Sequence, residues 1–262
     1  MAWVIDMTGK NALVTGGATG IGAQTCRELA EAGCNVAVNY FPSERDRAAA
    51  KELLEELRAM GVKAEGYEAD VSSEEQVNDM VKKIVEDFGS LEKLFSNAGN
   101  FNKCLMHEMD LKEWRRITSV HLDGAFLIAR ACVEQMLKQG EGDIVFMASG
   151  CGLNGGGGSV AYPAAKAGIE GMMHEMVNEY ADKGIRVNCI RPMVVETPMT
   201  RGRYDDAGWA HYLEYMPAKK AGTAKNVADL VVFLLDRERS EFIIGASVNV
   251  DGGRILHQRK PF

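Results

Sequence analysis

The sequence predicts an α/β protein built as a single-domain doubly wound parallel sheet with helices on both faces. Three observations lead there. Short apolar or β-branched runs alternate with longer amphipathic stretches along the chain. Most of the strand-like runs are rich in apolar or β-branched residues, as strands covered on both faces are. No linker or internal repeat divides the 262 residues, so one domain over 1–262 is expected.

The elements follow in order. Asn11–Thr15 reads as a strand, Gly22–Ala32 as a helix and Asn35–Asn39 as a second strand. Ser43–Met60 is a charged helix whose charge run forms a solvated face. Lys63–Glu68 is the next strand. Ser72 or Ser73 then caps a helix reaching Phe88, with Glu74, Glu75 and Gln76 in its first turn. Lys93–Ser96, Asp143–Met147, Ile185–Ile190 and Ser247–Val250 complete the strands. Helices are expected near Leu111–Lys138, Val160–Lys183 and Lys225–Leu235.

Composition removes several function classes. With 46% hydrophobic residues and a net charge of only −7, the chain can bury a core and is not disordered. An isoelectric point near 5.4 argues against a nucleic-acid partner, because phosphate binding needs a basic surface. No apolar run reaches the 18 residues of a membrane span, and Met1–Lys10 lacks the pattern of a secretory signal, so no membrane partner and a cytoplasmic location are expected. Six widely spaced cysteines include no CxxC and no metal-type pairing, which suits buried thiols in a reducing compartment and no metal site. The unusual number is 28 glycines against 6 prolines.

The first glycine cluster follows the first strand as Thr15-Gly16-Gly17-Ala18-Thr19-Gly20-Ile21-Gly22, with Gly16, Gly20 and Gly22 spaced G-x-x-x-G-x-G. A turn that cradles a pyrophosphate needs backbone without Cβ where the chain bends and where the phosphates approach. The helix that follows adds N–H groups and the positive end of its dipole. Strand, glycine turn and helix within the first βαβ unit are the context that makes this a dinucleotide site.

That spacing resembles the short-chain dehydrogenase/reductase (SDR) family, with its Rossmann-like fold, and later motifs extend the resemblance over almost the whole chain. Asp70-Val71 is similar to the family's adenine-contacting pair, and Asn97-Ala98-Gly99 to its Asn-Ala-Gly motif. Arg191-Pro192 and Thr197-Pro198-Met199 resemble the nicotinamide-binding segment, in which Val195 and Thr197 would hold the carboxamide and Pro192 would stand beside it. Val250-Asp251-Gly252-Gly253 resembles the C-terminal segment near which the family's tetramers pack, which implies a homo-oligomer, tetramer or dimer.

Tyr162-x-x-x-Lys166 opens a helix, so its two side chains share one face. Interconverting a ketone and a secondary alcohol needs a proton donor or acceptor at the oxygen while hydride moves at carbon. A phenol with a pKa of about 10 is a poor base near neutrality, so an adjacent ammonium must favour its ionised form. Ser149 stands 13 residues upstream of Tyr162, at the spacing of the family's serine, where its hydroxyl can position the substrate oxygen. By the same resemblance Lys166 also binds the nicotinamide ribose, and Tyr162 belongs with it to the cofactor site. A non-catalytic, NADP-binding regulator of this fold would carry a damaged set, whereas Ser149, Tyr162 and Lys166 are all present.

Two positions depart from the family pattern. The long central helix reads His121-Leu122-Asp123-Gly124-Ala125-Phe126, with histidine where the family has an asparagine that anchors a relay water. Either His121 takes part in the relay, since an unperturbed imidazole titrates near pH 6.5, or it fills space. Met193 follows proline where glycine is usual, which implies a reshaped pocket.

Dinucleotide enzymes specific for NAD usually end the second strand with an acid. Here Asn39 and Tyr40 are neutral, and Ser43 and Arg45 could receive a 2′-phosphate, unless Arg45 simply belongs to the charged helix. The balance favours NADP(H), with NAD(H) the alternative. A substrate lid is expected at about 198–220, rich in aromatic and methionine residues, with Arg201 and Arg203 available to an anionic group. Candidate pocket residues are Phe101, Cys151, Leu153, Asn154, Met193, Met199, Tyr204 and Trp209. Gly155–Gly158 is either a mobile turn or a wall without side chains that leaves room for substrate. The expected small-molecule substrate is a bulky secondary alcohol or ketone such as a steroid or bile acid, as in a hydroxysteroid dehydrogenase. A 3-oxoacyl thioester and a sugar or polyol are the alternatives.

Overall fold

The computed structural model describes residues 4–202 and 205–256. Seven parallel strands form one sheet: β1 (Asn11–Val14), β2 (Asn35–Tyr40), β3 (Ala64–Glu68), β4 (Lys93–Ser96), β5 (Gly142–Met147), β6 (Ile185–Pro192) and β9 (Ser247–Val250), in the order β3-β2-β1-β4-β5-β6-β9. The order reverses between β1 and β4, which opens a crevice at the carboxyl ends of these strands. A separate two-stranded pair joins β7 (Val195–Glu196) to β8 (Gly222–Thr223).

Helices cover both faces. On one side α1 (Gly20–Glu31), α2 (Glu44–Ala59) and α10 (Ala224–Leu235) bury Leu29, Leu57 and Val231 against Val14, Val36 and Val145. On the other, α3 (Glu74–Phe88), α5 (Gly124–Gln139) and α7 (Ala161–Tyr180) bury Ile84, Ile128 and Met173 against Leu13, Leu94 and Phe146. The central strands β1, β4 and β5 thus send side chains into both cores, which is why they show little polar alternation.

Local signals set the helix ends. Ser73, not Ser72, caps α3 by accepting from Gln76 N, while Ser72 donates to Asp70 Oδ1 at 2.7 Å. Gly89 and Gly140 close α3 and α5 with left-handed backbone at φ 86° and 70°. The expected helix Leu111–Lys138 is interrupted. It comprises α4 (Leu111–Thr118), a π-helical turn at Ser119–Asp123 and α5. The break turns His121 into the interior, where it is buried. π-helical turns of this kind recur at functional sites, and the hydrophobic spacing that continues through them hides them from periodicity.

At the opposite end of the sheet from the crevice, an ion cluster is buried among the strand starts. Asp143 on β5 accepts from Lys93 Nζ of β4 and Arg186 Nε of β6, each at 2.6 Å, and from Arg237 Nη2 at 3.0 Å. Asp143, Lys93 and Arg186 are 1%, 2% and 3% exposed.

Candidate active site

The crevice is a cleft of about 880 Å³ running from the β2 end across the β1–α1 turn to Ser149, Tyr162 and Lys166, and on to Met193 and Met199. Its floor is the glycine turn. A Cβ on Gly22 would collide with Gly16 O and lie 2.8 Å from Asn97 Nδ2, so the turn closes this tightly only without a side chain there. Asn97 Nδ2 donates to Thr15 O and Gly16 O at 2.9 and 3.1 Å, and Thr15 Oγ1 accepts from Asn97 N and Ala98 N. Thr15 and Asn97 therefore lock the ends of β1 and β4 together and hold the turn open. Thr19 precedes α1 and makes no side-chain cap, leaving its first-turn N–H groups to face the cleft. This cradle fits a dinucleotide pyrophosphate.

The residues expected around the adenosine divide into two groups. Asn39 is buried and committed to the backbone: Oδ1 accepts from Gly16 N, and Nδ2 donates to Tyr67 O and Ala69 O at 3.2 and 3.1 Å. Ser43 is spent as the N-cap of α2, accepting from Asp46 N, and does not line the cleft. Asn39 itself, with Tyr40, Phe41, Arg45 and Asp46, does line it. Arg45 is 80% exposed at its side chain and donates through Nε to Asp46 Oδ1 at 2.8 Å. It is thus both a member of the charged helix and a wall of the cleft. Asp46 went unnoticed in the sequence because an acid in the first helical turn has a sufficient local reason. Asp70, Val71, Ala98, Gly99, Pro192, Val195 and Thr197 also line the cleft, as do Gly16, Thr19, Gly20 and Ile21.

At the reacting end, the first turn of α7 presents Tyr162 and Lys166 together. Lys166 is fully buried; its Nζ lies 5.7 Å from the Tyr162 ring centre and donates to Met147 O at 2.5 Å. Burial pushes the Lys166 ammonium down to about 7, because the charged form is desolvated. The folded chain therefore binds fewer protons at this site than the unfolded chain between pH 7 and the ordinary lysine range near 10.5, so the cost of burial is largest below pH 7 and fades as pH rises. Lys166→Met is accordingly expected to raise the Tm of the cofactor-free protein at pH 6 and to raise it much less at pH 10. Equal shifts at both pH values, in thermal melts, would show that charge burial is not the cause.

His121 Nε2 lies 2.8 Å from Asn100 O, and its ring stands edge-on to Tyr162 with centres 5.1 Å apart at 89°. A Cβ on Gly99 would come within 2.5 Å of His121 Cε1, so the glycine of Asn-Ala-Gly makes room for this ring. His121→Asn is expected to retain substantial activity while altering the pH–rate profile. An unchanged profile, measured from pH 5 to 9, would count against a titrating histidine beside Tyr162.

Gly155–Gly158 all hold positive φ, at 75°, 94°, 81° and 93°. A Cβ on Gly157 would collide with the Tyr162 ring, and one on Gly158 with Asn102 O. Gly157 thus passes the Tyr162 ring at backbone distance. The run is held there by Cys104 N donating to Gly158 O and Ser159 Oγ to Asn102 Oδ1.

The pocket candidates are scattered. Met193 and Met199 line the cleft, whereas Phe101, Cys151, Leu153, Asn154 and Trp209 lie outside its wall. Phe101 packs on Gly158, Leu153 is exposed, and Asn154 donates to Ile255 O. Cys151 donates its N–H to Ser149 Oγ at 3.1 Å. The expected lid contains two short helices, α8 (Pro198–Arg201) and α9 (Asp206–Glu214). Trp209 is buried there, with Arg201 Cζ 4.8 Å from its ring centre, and Arg201 also pairs with Glu196 at 3.0 Å. Tyr204 and Arg203 lie outside the described residues.

A glycine-floored crevice at a sheet's reversal point, ending on serine, tyrosine and a desolvated lysine, defines a dinucleotide-dependent oxidoreductase of the doubly wound type. Residues 10–208 match the short chain dehydrogenase family, and the chain belongs to it. The chain is 36% identical over 247 residues to the 3-oxoacyl-[acyl-carrier-protein] reductase FabG of Staphylococcus epidermidis, covering 94% of this chain and 99% of that relative. It is 35% identical over 254 residues to glucose 1-dehydrogenase 2 of Bacillus subtilis, covering 96% and 97%. Among solved structures, levodione reductase superposes with a TM-score of 0.88 at 31% identity, covering 96% of this chain and 99% of that one.

The curated relatives fit the alternative substrates better than the first expectation. Their names point to 3-oxoacyl thioesters and glucose, and the steroid or bile-acid expectation, with the hydroxysteroid dehydrogenase class, finds no support in them. In the lid itself, Trp209 is buried and packs against Arg201. No helix among the described residues is long and apolar enough to cross a membrane.

Proposed function

We propose that the protein reduces the 3-oxo group of an acyl thioester, using NADPH. Support for the reaction comes from the convergence of Ser149, Tyr162 and Lys166 on one end of the cleft. Bound nicotinamide supplies the hydride. Ser149 donates a hydrogen bond to the carbonyl oxygen and aligns it. Tyr162 passes its phenolic proton to that oxygen as the carbon is reduced, and the Lys166 ammonium beside it lowers the cost of the phenolate left behind. For the substrate class, the wall beyond Ser149 carries Met193, Pro198 and Met199, which suit an alkyl chain and offer few partners to sugar hydroxyls. NADPH is favoured because Arg45 stands on the cleft wall and the β2 end offers the ribose no strand-end acid.

A sugar or polyol is the second reading, favoured by the likeness to glucose 1-dehydrogenase 2. Loss of reduced-nicotinamide absorbance with acetoacetyl thioesters, set against its appearance with glucose and oxidised cofactor, separates the two. The expected result is faster turnover of the thioester and a higher kcat/KM with NADPH than with NADH. Turnover confined to glucose sinks the thioester reading, and a clear preference for NADH sinks the cofactor assignment.

A further inference from the structure

Gly150, the residue after Ser149, leaves its side-chain space to Met193 and Ile255. A Cβ there would collide with Met193 Sδ and lie 2.8 Å from Cδ1 and Cγ1 of Ile255. Two side chains from distant parts of the chain therefore converge on one point behind the catalytic serine. Met193 follows β6 and lines the cleft; Ile255 belongs to the C-terminal turn and is partly buried. That turn is firmly tied. Asp251 Oδ2 accepts from Ile255 N at 2.7 Å and Oδ1 from Gly253 N at 3.0 Å. Asn154 Nδ2 donates to Ile255 O at 3.2 Å, and Ala218 N at the far end of the lid donates to Gly252 O at 3.2 Å.

We propose that the C-terminal turn stands behind Met193, outside the cleft wall, and that Ile255, acting through Met193, sets the size of the group accepted beside Ser149. Methionine is unbranched and adapts to its surroundings, whereas isoleucine is stiff at χ1. Ile255 wedges the Met193 thioether against Gly150. With Ile255 shortened, Met193 withdraws into the space and the pocket deepens. Ile255 is then a positioning residue, and Met193 is the side chain that meets substrate. The proposal rests on the reading that this cleft reduces a 3-oxo carbonyl.

The test compares ethyl acetoacetate with the bulkier ethyl benzoylacetate, on the full chain with NADPH, for the parent, Ile255→Ala, Met193→Gly and the double variant. Each single change is expected to raise the bulky-to-compact ratio of kcat/KM by roughly tenfold or more, the scale at which pocket size discriminates. The double variant is expected to resemble Met193→Gly, because Ile255 has nothing left to hold. The same ratio is read as Kd by saturation-transfer NMR on cofactor-loaded protein, which reports on the pocket even if neither ester is turned over. Binding without turnover would count against the 3-oxo reading alone. A Kd ratio unchanged in both single variants, or full additivity in the double, overturns the proposed wedge.

Discussion

Tyr162→Phe is expected to lower kcat by about 10² to 10⁴-fold, the usual contribution of a positioned general acid. The substitution removes the phenolic proton and little else. The phenyl ring can keep its edge-on contact with His121 and its place against Gly157. NADPH affinity, read by fluorescence titration, is therefore expected to change little, because the glycine turn and the β2 end lie elsewhere in the cleft. A loss confined to KM would mean that Tyr162 only binds substrate. Retention of near-parental kcat would move the proton donor to another group.

Asp143→Ala is expected to destabilise the fold by about 3–5 kcal/mol, the cost of leaving buried charge without its partner. Asp143 is faced by Lys93, Arg186 and Arg237, and the first two are themselves almost fully buried. Some relief comes from carbonyls: Arg186 donates to Leu234 O, and Arg237 to Gly142 O and Gly184 O. These dipoles do not replace a carboxylate. Urea unfolding monitored by circular dichroism gives the number. A loss below about 1 kcal/mol would show that water or rearranged carbonyls already carry the cluster. The cluster lies at the starts of β4, β5 and β6, away from the cleft, so kcat at low temperature is expected to survive the substitution.

The sheet, its helices and the reacting set were legible for a common reason. Parallel strands buried on both faces, glycines in a phosphate turn and a Tyr-x-x-x-Lys pair on one helix are all local patterns, and local geometry constrains them. Ser149 is the partial exception. Its place depended on resemblance, because only the fold brings the end of β5 to the start of α7.

What only the tertiary structure decided involves contacts between segments far apart in sequence. Asn39 and Ser43 sit where a 2′-phosphate would be sought, yet one amide donates to the backbone at Tyr67 and Ala69 and one hydroxyl caps a helix. The aromatic lid suggested a bulky substrate, yet Trp209 is used in packing. Lys93 and Asp143 open runs that read as apolar strands, and nothing local announces that they neutralise each other 50 residues apart. Gly157 is set against the Tyr162 ring, Gly158 against Asn102 and Phe101, and Gly150 against Met193 and Ile255. A sequence by itself determined which residues could bend, pack or carry protons. Which of them meet was decided by the fold, because close approach depends on what occupies the space opposite.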